Sequence, residues 1–294
     1  MNLNNEMIKN YISYFENLNT HFFNHENNNN VAVIIEPRKH EYLLGVIKNV
    51  MTKLDKTWNL HIFGSDLNEQ YLKENLQGNF IFTNLKINNL DQKTYSLLLL
   101  SQTFWSSIKE ENILIFQTDS FIVNEKYEIP KEYAFLGASY NYGKLVNLGY
   151  IDVVAPPNYN YSINGGFSFR KKKAMIECIQ KVSNQDIFEF RKKYQLNTKI
   201  FKNNFILQED VFFNHALLLL NYELPSIETC NSFCSQQYKN YDSFGIHAFN
   251  QSCWNFKEKD LLEFFKIKHE KTLQFQKEKN KNIEKKTNKN LIIL

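Results

Sequence analysis

The chain has 294 residues (35.0 kDa), 43% of them hydrophobic and 15% aromatic, which is enough to bury a substantial core and too much for a disordered polypeptide. Its formal charge is +4, but residues 256–294 hold 11 of the 35 Lys and Arg and 6 of the 31 Asp and Glu. The rest is therefore close to neutral and offers no basic stripe for a phosphate backbone. No run approaches the roughly 18 apolar residues of a bilayer span, and the opening MNLNNEMIKN lacks the apolar segment of a secretory signal, so a soluble cytoplasmic protein is expected, without nucleic acid as its main partner.

Residues 1–30 read as an N-terminal extension, with aromatic Tyr11, Tyr14, Phe15, Phe22 and Phe23 between Asn-rich stretches and an Asn run at 27–30 that looks like a linker. The next run, VAVIIE at 31–36, is continuously apolar and ends at Pro37, as in a strand buried on both faces. Leu43, Leu44, Ile47, Val50, Met51 and Leu54 recur at helical spacing. Strands are predicted at 58–63, 79–83 and 112–116, with a mostly apolar helix over 95–108. Strands alternating with helices predict an α/β fold with a mainly parallel, Rossmann-like sheet and right-handed crossovers. After residue 122 a smaller, mixed second half follows: strand-like Ala134–Gly137 and Gly166–Phe169, a loop with Pro156 and Pro157, and helices over 171–182 and 209–221. One domain is expected over 31–255, followed by a Lys-rich helix and mobile tail at 256–294 that offers a peripheral contact to a membrane surface.

In open α/β sheets ligands sit beyond the carboxyl ends of the parallel strands, here Glu36-Pro37-Arg38, Gly64-Ser65-Asp66 and Gln117-Thr118-Asp119-Ser120. The third set offers a carboxylate for a divalent cation and neutral groups for a ribose, although a lone strand-end Asp119 also serves as a turn cap. Asn164-Gly165-Gly166 contains adjacent glycines in a chain with only nine, which fits either close backbone approach to a ligand or an ordinary hairpin turn. Glu209 and Asp210 open an apolar helix, as caps or as a carboxylate held ionised to take a proton from a hydroxyl. His247 follows Gly245, and Cys230, Cys234, His247 and Cys253 form C-x3-C-x12-H-x5-C, near the spacing of a structural zinc site.

Taken in order, EPRKH, FQTDS, NGGFSFR, QEDVFF and FGIHAF resemble an uncharacterised family of glycosyltransferase-like domains of giant DNA viruses, bacteria and some eukaryotes, over about residues 31–255. That family is in turn similar to the GT-A glycosyltransferases, including fringe-type and β-1,4-galactosyltransferases. The resemblance implies transfer of a sugar from a nucleotide-sugar donor, read as a UDP-sugar, to a hydroxyl on a glycan, protein or lipid-linked acceptor, with inversion and with Mn2+ or Mg2+. It implies Asp119 and His247 as metal ligands and Glu36, Arg38, Gln117, Thr118, Asn164, Gly165 and Gly166, with Asp119, as donor contacts. It further implies Asp210 as the general base, with Glu209 orienting the acceptor or the base. Gln117 stands where the motif has its first Asp. That departure supports an alternative, a non-catalytic carbohydrate- or nucleotide-binding module, and the cysteines support a third, a zinc-stapled interaction protein.

Overall fold

The computed structural model describes residues 3–141, 161–194, 207–236, 240 and 242–248. The 156–157 loop, Cys253 and the expected helix and tail of 256–294 lie outside the described residues.

The continuous apolar runs form the centre of the molecule. β2 (Asn30–Ile35) is buried along its whole length, with parallel β3 (Trp58–Gly64) on one side and parallel β6 (Asn112–Phe116) on the other; Ala32 faces Leu60 and Leu114. β5 (Ile81–Asn84) continues the parallel set beyond β3. On the far side, β9 (Tyr161–Lys171) runs antiparallel to β6 and to β8 (Phe135–Asn141), giving the order β5-β3-β2-β6-β9-β8. The chain thus has the expected mixed α/β fold with a mainly parallel sheet. Two sheet extensions differ from the sequence reading. The expected strand at 79–83 is split at Phe80: β4 (Gln77–Asn79) pairs with β1 (His21–Phe23), Gly78 taking a left-handed φ of 102° there. Strands β8 and β9 extend well past Ala134–Gly137 and Gly166–Phe169.

The helix over 43–54 is α2 (Leu43–Lys53), but the helix expected over 95–108 is two: α4 (Gln92–Leu99) and α5 (Gln102–Ser106). Asp91 accepts from the Thr94 N–H and sets the start earlier, while the chain becomes extended at Ser101. The Leu99 carbonyl at the break accepts from the buried Trp105 indole at 2.6 Å. α3 (Glu69–Asn75), α6 (Lys172–Lys181), α7 (Asn184–Lys193), α8 (Glu209–Leu219) and α9 (Ile227–Phe233) complete the helices used below.

The N-terminal segment joins this body. α1 (Leu3–Glu16) packs on α2, burying Tyr11, Ile12 and Phe15 against a helix face where Gly45 leaves room for Ile12. Lys48 Nζ donates to the Glu16 and Leu18 carbonyls at 2.7 and 3.1 Å, closing the end of α1. The Asn run is fastened rather than loose: Asn28 Nδ2 donates to Asn59 and Asn30 Nδ2 to Thr57.

A second, small sheet positions the site. β7 (Ser120–Ile122) pairs antiparallel with β11 (Gly245–His247), which pairs with β10 (Cys234–Ser235), and the register sets His247 opposite Ser120. Asn49 on α2 holds both the N–H and the carbonyl of Ile122, tying this sheet to the main one.

Candidate active site

From β2 the chain crosses to β3 and β5 on one side, then returns to β6 on the other, so the connections reverse direction across the sheet between the parallel strands β2 and β6. A cleft of about 400 Å3 opens beyond the carboxyl ends of these two strands, where such a switch leaves a crevice, and Glu36, Arg38, His40, Tyr95, Thr118 and Asp119 are among its lining residues. Arg38 Nε and Nη2 form a fork on buried Glu36 at 2.8 and 2.6 Å, which aims a half-exposed guanidinium at the opening. Ser65 and Asn68, following β3, brace that turn: Ser65 Oγ donates to the Pro37 carbonyl, and Asn68 Nδ2 to the carbonyls of Glu36 and Arg38. Asp66 instead pairs with Lys86 on the surface, away from the cleft lining.

At the end of β6, Asp119 Oδ1 is 3.5 Å from His247 Nε2 although 128 positions separate them in the sequence. Burial raises the Asp119 carboxyl, but the adjacent His247 imidazole, a backbone N–H and His40 together outweigh it and hold the group below the usual aspartate range. Oδ1 is buried and accepts no hydrogen bond. A buried carboxylate oxygen without a donor, beside an imidazole nitrogen, fits a divalent cation held jointly with phosphate oxygens and water. An all-protein cage does not fit, since no group of three or more His, Cys, Asp or Glu occurs among the described residues. His247 Nε2 is also 3.2 Å from Gln117 Oε1, and its Nδ1 is 3.0 Å from Gln236 Oε1. Both ring nitrogens therefore face groups other than Cys230 and Cys234. The thiol of Cys230, pushed up to about 12 by burial, is a protonated core group. Cys253, the remaining member of the expected zinc set, lies outside the described residues.

Beside His247 and Gln117, the Asn164–Gly166 segment of β9 bulges past the end of β6, opposite a register shift at Gly137/Ser139. A Cβ on Gly166 would enter the His247 ring and the Gln117 amide, and one on Gly165 would enter Glu209 and Arg170. The adjacent glycines are therefore required by close approach on both sides. Asn164 Oδ1 accepts from the Gly166 N–H at 2.9 Å and holds the bulge. Asp210, in the first turn of α8, accepts from the Val211 N–H at 2.8 Å and from Gly165 at 3.4 Å. Burial and the neighbouring Glu209 push its carboxyl up to about 7, against the pull of these N–H groups and Arg170.

The structure thus brings Gln117, Asp119, Gly166 and His247 into one group and Gly165, Glu209 and Asp210 into another, joined by the glycine pair. Glu36, Arg38 and Thr118 line the cleft between β2 and β6. The sequence reading assigned nothing to Arg170, which closes the quoted NGGFSFR and pairs with Glu209 at 2.8 Å, to Tyr95, whose buried hydroxyl faces Gln117, or to Gln236.

Residues 79–247 match a family described as a protein of unknown function, DUF5672. The chain belongs to this family. No curated protein matches it. Among solved structures it is similar to the apo form of mouse xyloside xylosyltransferase 1, with 11% identity over 74% of this chain and 97% of that one and a TM-score of 0.46. It is also similar to the apo-form glycosyltransferase GlyE of Streptococcus pneumoniae TIGR4, with 10% identity over 82% of this chain and 64% of that one and a TM-score of 0.41. The chain spans somewhat less than two thirds of GlyE. These likenesses concern the fold.

Proposed function

We propose that the chain transfers a sugar from a nucleotide-sugar donor, a UDP-sugar in the simplest reading, to a hydroxyl of a glycan, protein or lipid-linked acceptor. The observation that carries this reading is the placing of Asp119–His247 and Asp210 on opposite sides of one glycine pair, next to the strand-end cleft that Asp119 lines. Asp119 and His247 would hold a divalent cation, Mn2+ or Mg2+, which supplies neutralisation of the leaving diphosphate. Arg38 reaches phosphate oxygens at the cleft mouth, while Gln117 and Thr118 face the ribose.

Asp210 takes the proton of the acceptor hydroxyl as that oxygen bonds the anomeric carbon. The carbon–oxygen bond to the diphosphate breaks with its electron pair, and the nucleoside diphosphate leaves. One displacement inverts the anomeric configuration. A carboxyl raised to about 7 is a stronger base than an ordinary aspartate and is ionised just above neutrality, as the step requires. The N–H groups of Gly165 and Val211 hold it in position, with Glu209 beside it.

A second reading, a nucleotide- or carbohydrate-binding module without turnover, is favoured by Gln117, whose amide oxygen occupies part of the His247 surface. Hydrolysis of a panel of UDP-, GDP- and CMP-sugars with and without Mn2+ separates the two. Turnover of a donor supports transfer, whereas UDP binding without hydrolysis or transfer of any donor supports the module.

A further inference from the structure

Arg170 is fully buried in the middle of an apolar layer, its guanidinium carbon 4.7 Å from the Phe135 ring, 5.6 Å from Phe213 and 5.9 Å from Trp105. Nε donates to Ser168 Oγ at 3.0 Å, and Nη2 donates to both the Gly165 carbonyl at 3.2 Å and Glu209 Oε1 at 2.8 Å. Nη1 is buried without a hydrogen-bond partner. As a device for stability this is a poor one, because a buried ion pair with an unmet donor is commonly matched or bettered by well-packed apolar side chains. What the arrangement does accomplish is geometric. One nitrogen joins the first residue of α8 to the carbonyl of Gly165, whose own N–H points at Asp210.

We propose that Arg170 is a positioning residue for the transfer: by gripping Glu209 and the Gly165 carbonyl together it locks the 209–210 carboxylates against the glycine pair, and so fixes Asp210 for its acceptor. This inference rests on the function proposed above. Arg170 touches neither the cleft lining nor the reacting atoms; it acts through Gly165 and Glu209. Its charge has a second consequence. The groups facing Asp210 and its helix start are Glu209 on α8 itself, Arg170 on β9 and Tyr95 on α4, whose phenol feels both Glu209 and Arg170. α7 presents Arg191, which is 3.2 Å from His215, and on α6 Glu177 is turned to Tyr222. Among these Arg170 is the cation that opposes burial and Glu209 at Asp210.

The test compares Arg170→Met and Arg170→Lys with the unaltered chain, activity being counted per folded molecule. Two readouts are used: the pH–rate profile of UDP-sugar hydrolysis in Mn2+, and the carboxyl carbon titration of Asp210 by NMR, assigned with Asp210→Asn. In Arg170→Met the Asp210 transition should move upward and kcat should fall about 100-fold, the order expected for misplacement by about 1 Å, with donor KM within threefold. Lysine keeps the charge without the planar fork, so Arg170→Lys should move the transition less than Arg170→Met does, yet lower kcat at least tenfold. An unmoved transition in a folded Arg170→Met, or wild-type kcat in Arg170→Lys, overturns the proposal; if Arg170→Met does not fold, Arg170→Lys decides. Failure of the unaltered chain to turn over any donor defeats the proposed function instead, and the titration still reports on Arg170.

Discussion

Replacing Gly166 by alanine adds one methyl group at the point where β9 meets β11. To restore an ordinary contact of 3.4 Å, the His247 ring and the Gln117 amide must each retreat by about 1 Å from the new Cβ. The Gln117 amide, at the end of a flexible side chain on the cleft, gives way more easily than the His247 ring, which is held by β11–β7 pairing and by Gln236. Overpacking of this kind costs about 1–3 kcal/mol, or roughly 2–12 °C in Tm at about 2–4 °C per kcal/mol for a chain of this class. Because the displaced ring is the one facing Asp119, Mn2+-dependent affinity for UDP should fall by about 10–100-fold, the range seen when a ligand's support is disturbed. Thermal unfolding gives the first number and calorimetric titration of UDP with and without Mn2+ the second. Gly45→Ala is the control, since its Cβ would enter Ile12 and Glu16 on α1, and none of these three lines the cleft; it should lower Tm and leave UDP binding intact. A Gly166→Ala protein that loses stability and binds UDP and Mn2+ like the wild type would refute the placing of His247 in the ligand site.

Two further outcomes are expected. The rate of transfer should rise with pH through about 7 as Asp210 ionises, while this group's effect on stability runs the other way. Since its folded-state value lies above the ordinary 3.8, its ionisation opposes folding: stability is greatest below about pH 4, falls between about 4 and 7 by no more than about 4 kcal/mol, and is level above; Asp210→Asn should flatten this slope in denaturant titrations. Deletion of residues 1–17 exposes the α2 face covered by Tyr11, Ile12 and Phe15. Ile12 and Phe15 alone are worth about 1.5–3 kcal/mol each, so Tm should drop by at least about 6 °C, and an unchanged Tm would show that α1 does not dock in solution.

The parallel half of the fold was legible because VAVIIE, WNLHIF and NILIF are buried on both faces and so read as continuous apolar runs. Helix boundaries were harder. Residues 95–108 are apolar on both sides of Ser101, so hydrophobicity alone gives no sign of the break, which is local geometry answered by the Trp105 indole. α7 left a readable signal that was passed over, the capping box of Ser183 and Asp186. α1 was hidden by its asparagines, and among its described side chains Tyr11, Ile12 and Phe15 carry the buried stripe. For the site, residue types and strand ends pointed to Asp119 and Gly165–Gly166, but the approach of Asp119 to His247 depends on the pairing of β7 with β11, a contact between distant segments with no local pattern. Arg170 could not be found this way. In a strand sequence, an arginine buried beneath Phe135 and Phe213 reads like one in water.

The central claim is that Asp210 accepts the acceptor proton while Asp119 and His247 serve the donor side. It is tested most directly by measuring transfer and UDP binding together in Asp210→Asn, using a UDP-sugar that the wild type turns over, with Mn2+ present. The asparagine keeps the side-chain shape and removes the base. Transfer should fall by about 10²–10⁴-fold, with the Kd for UDP within threefold of wild type. Near-normal transfer, or a loss of UDP affinity as large as the loss of rate, would contradict the account and return Asp210 to the role of a helix cap or donor ligand.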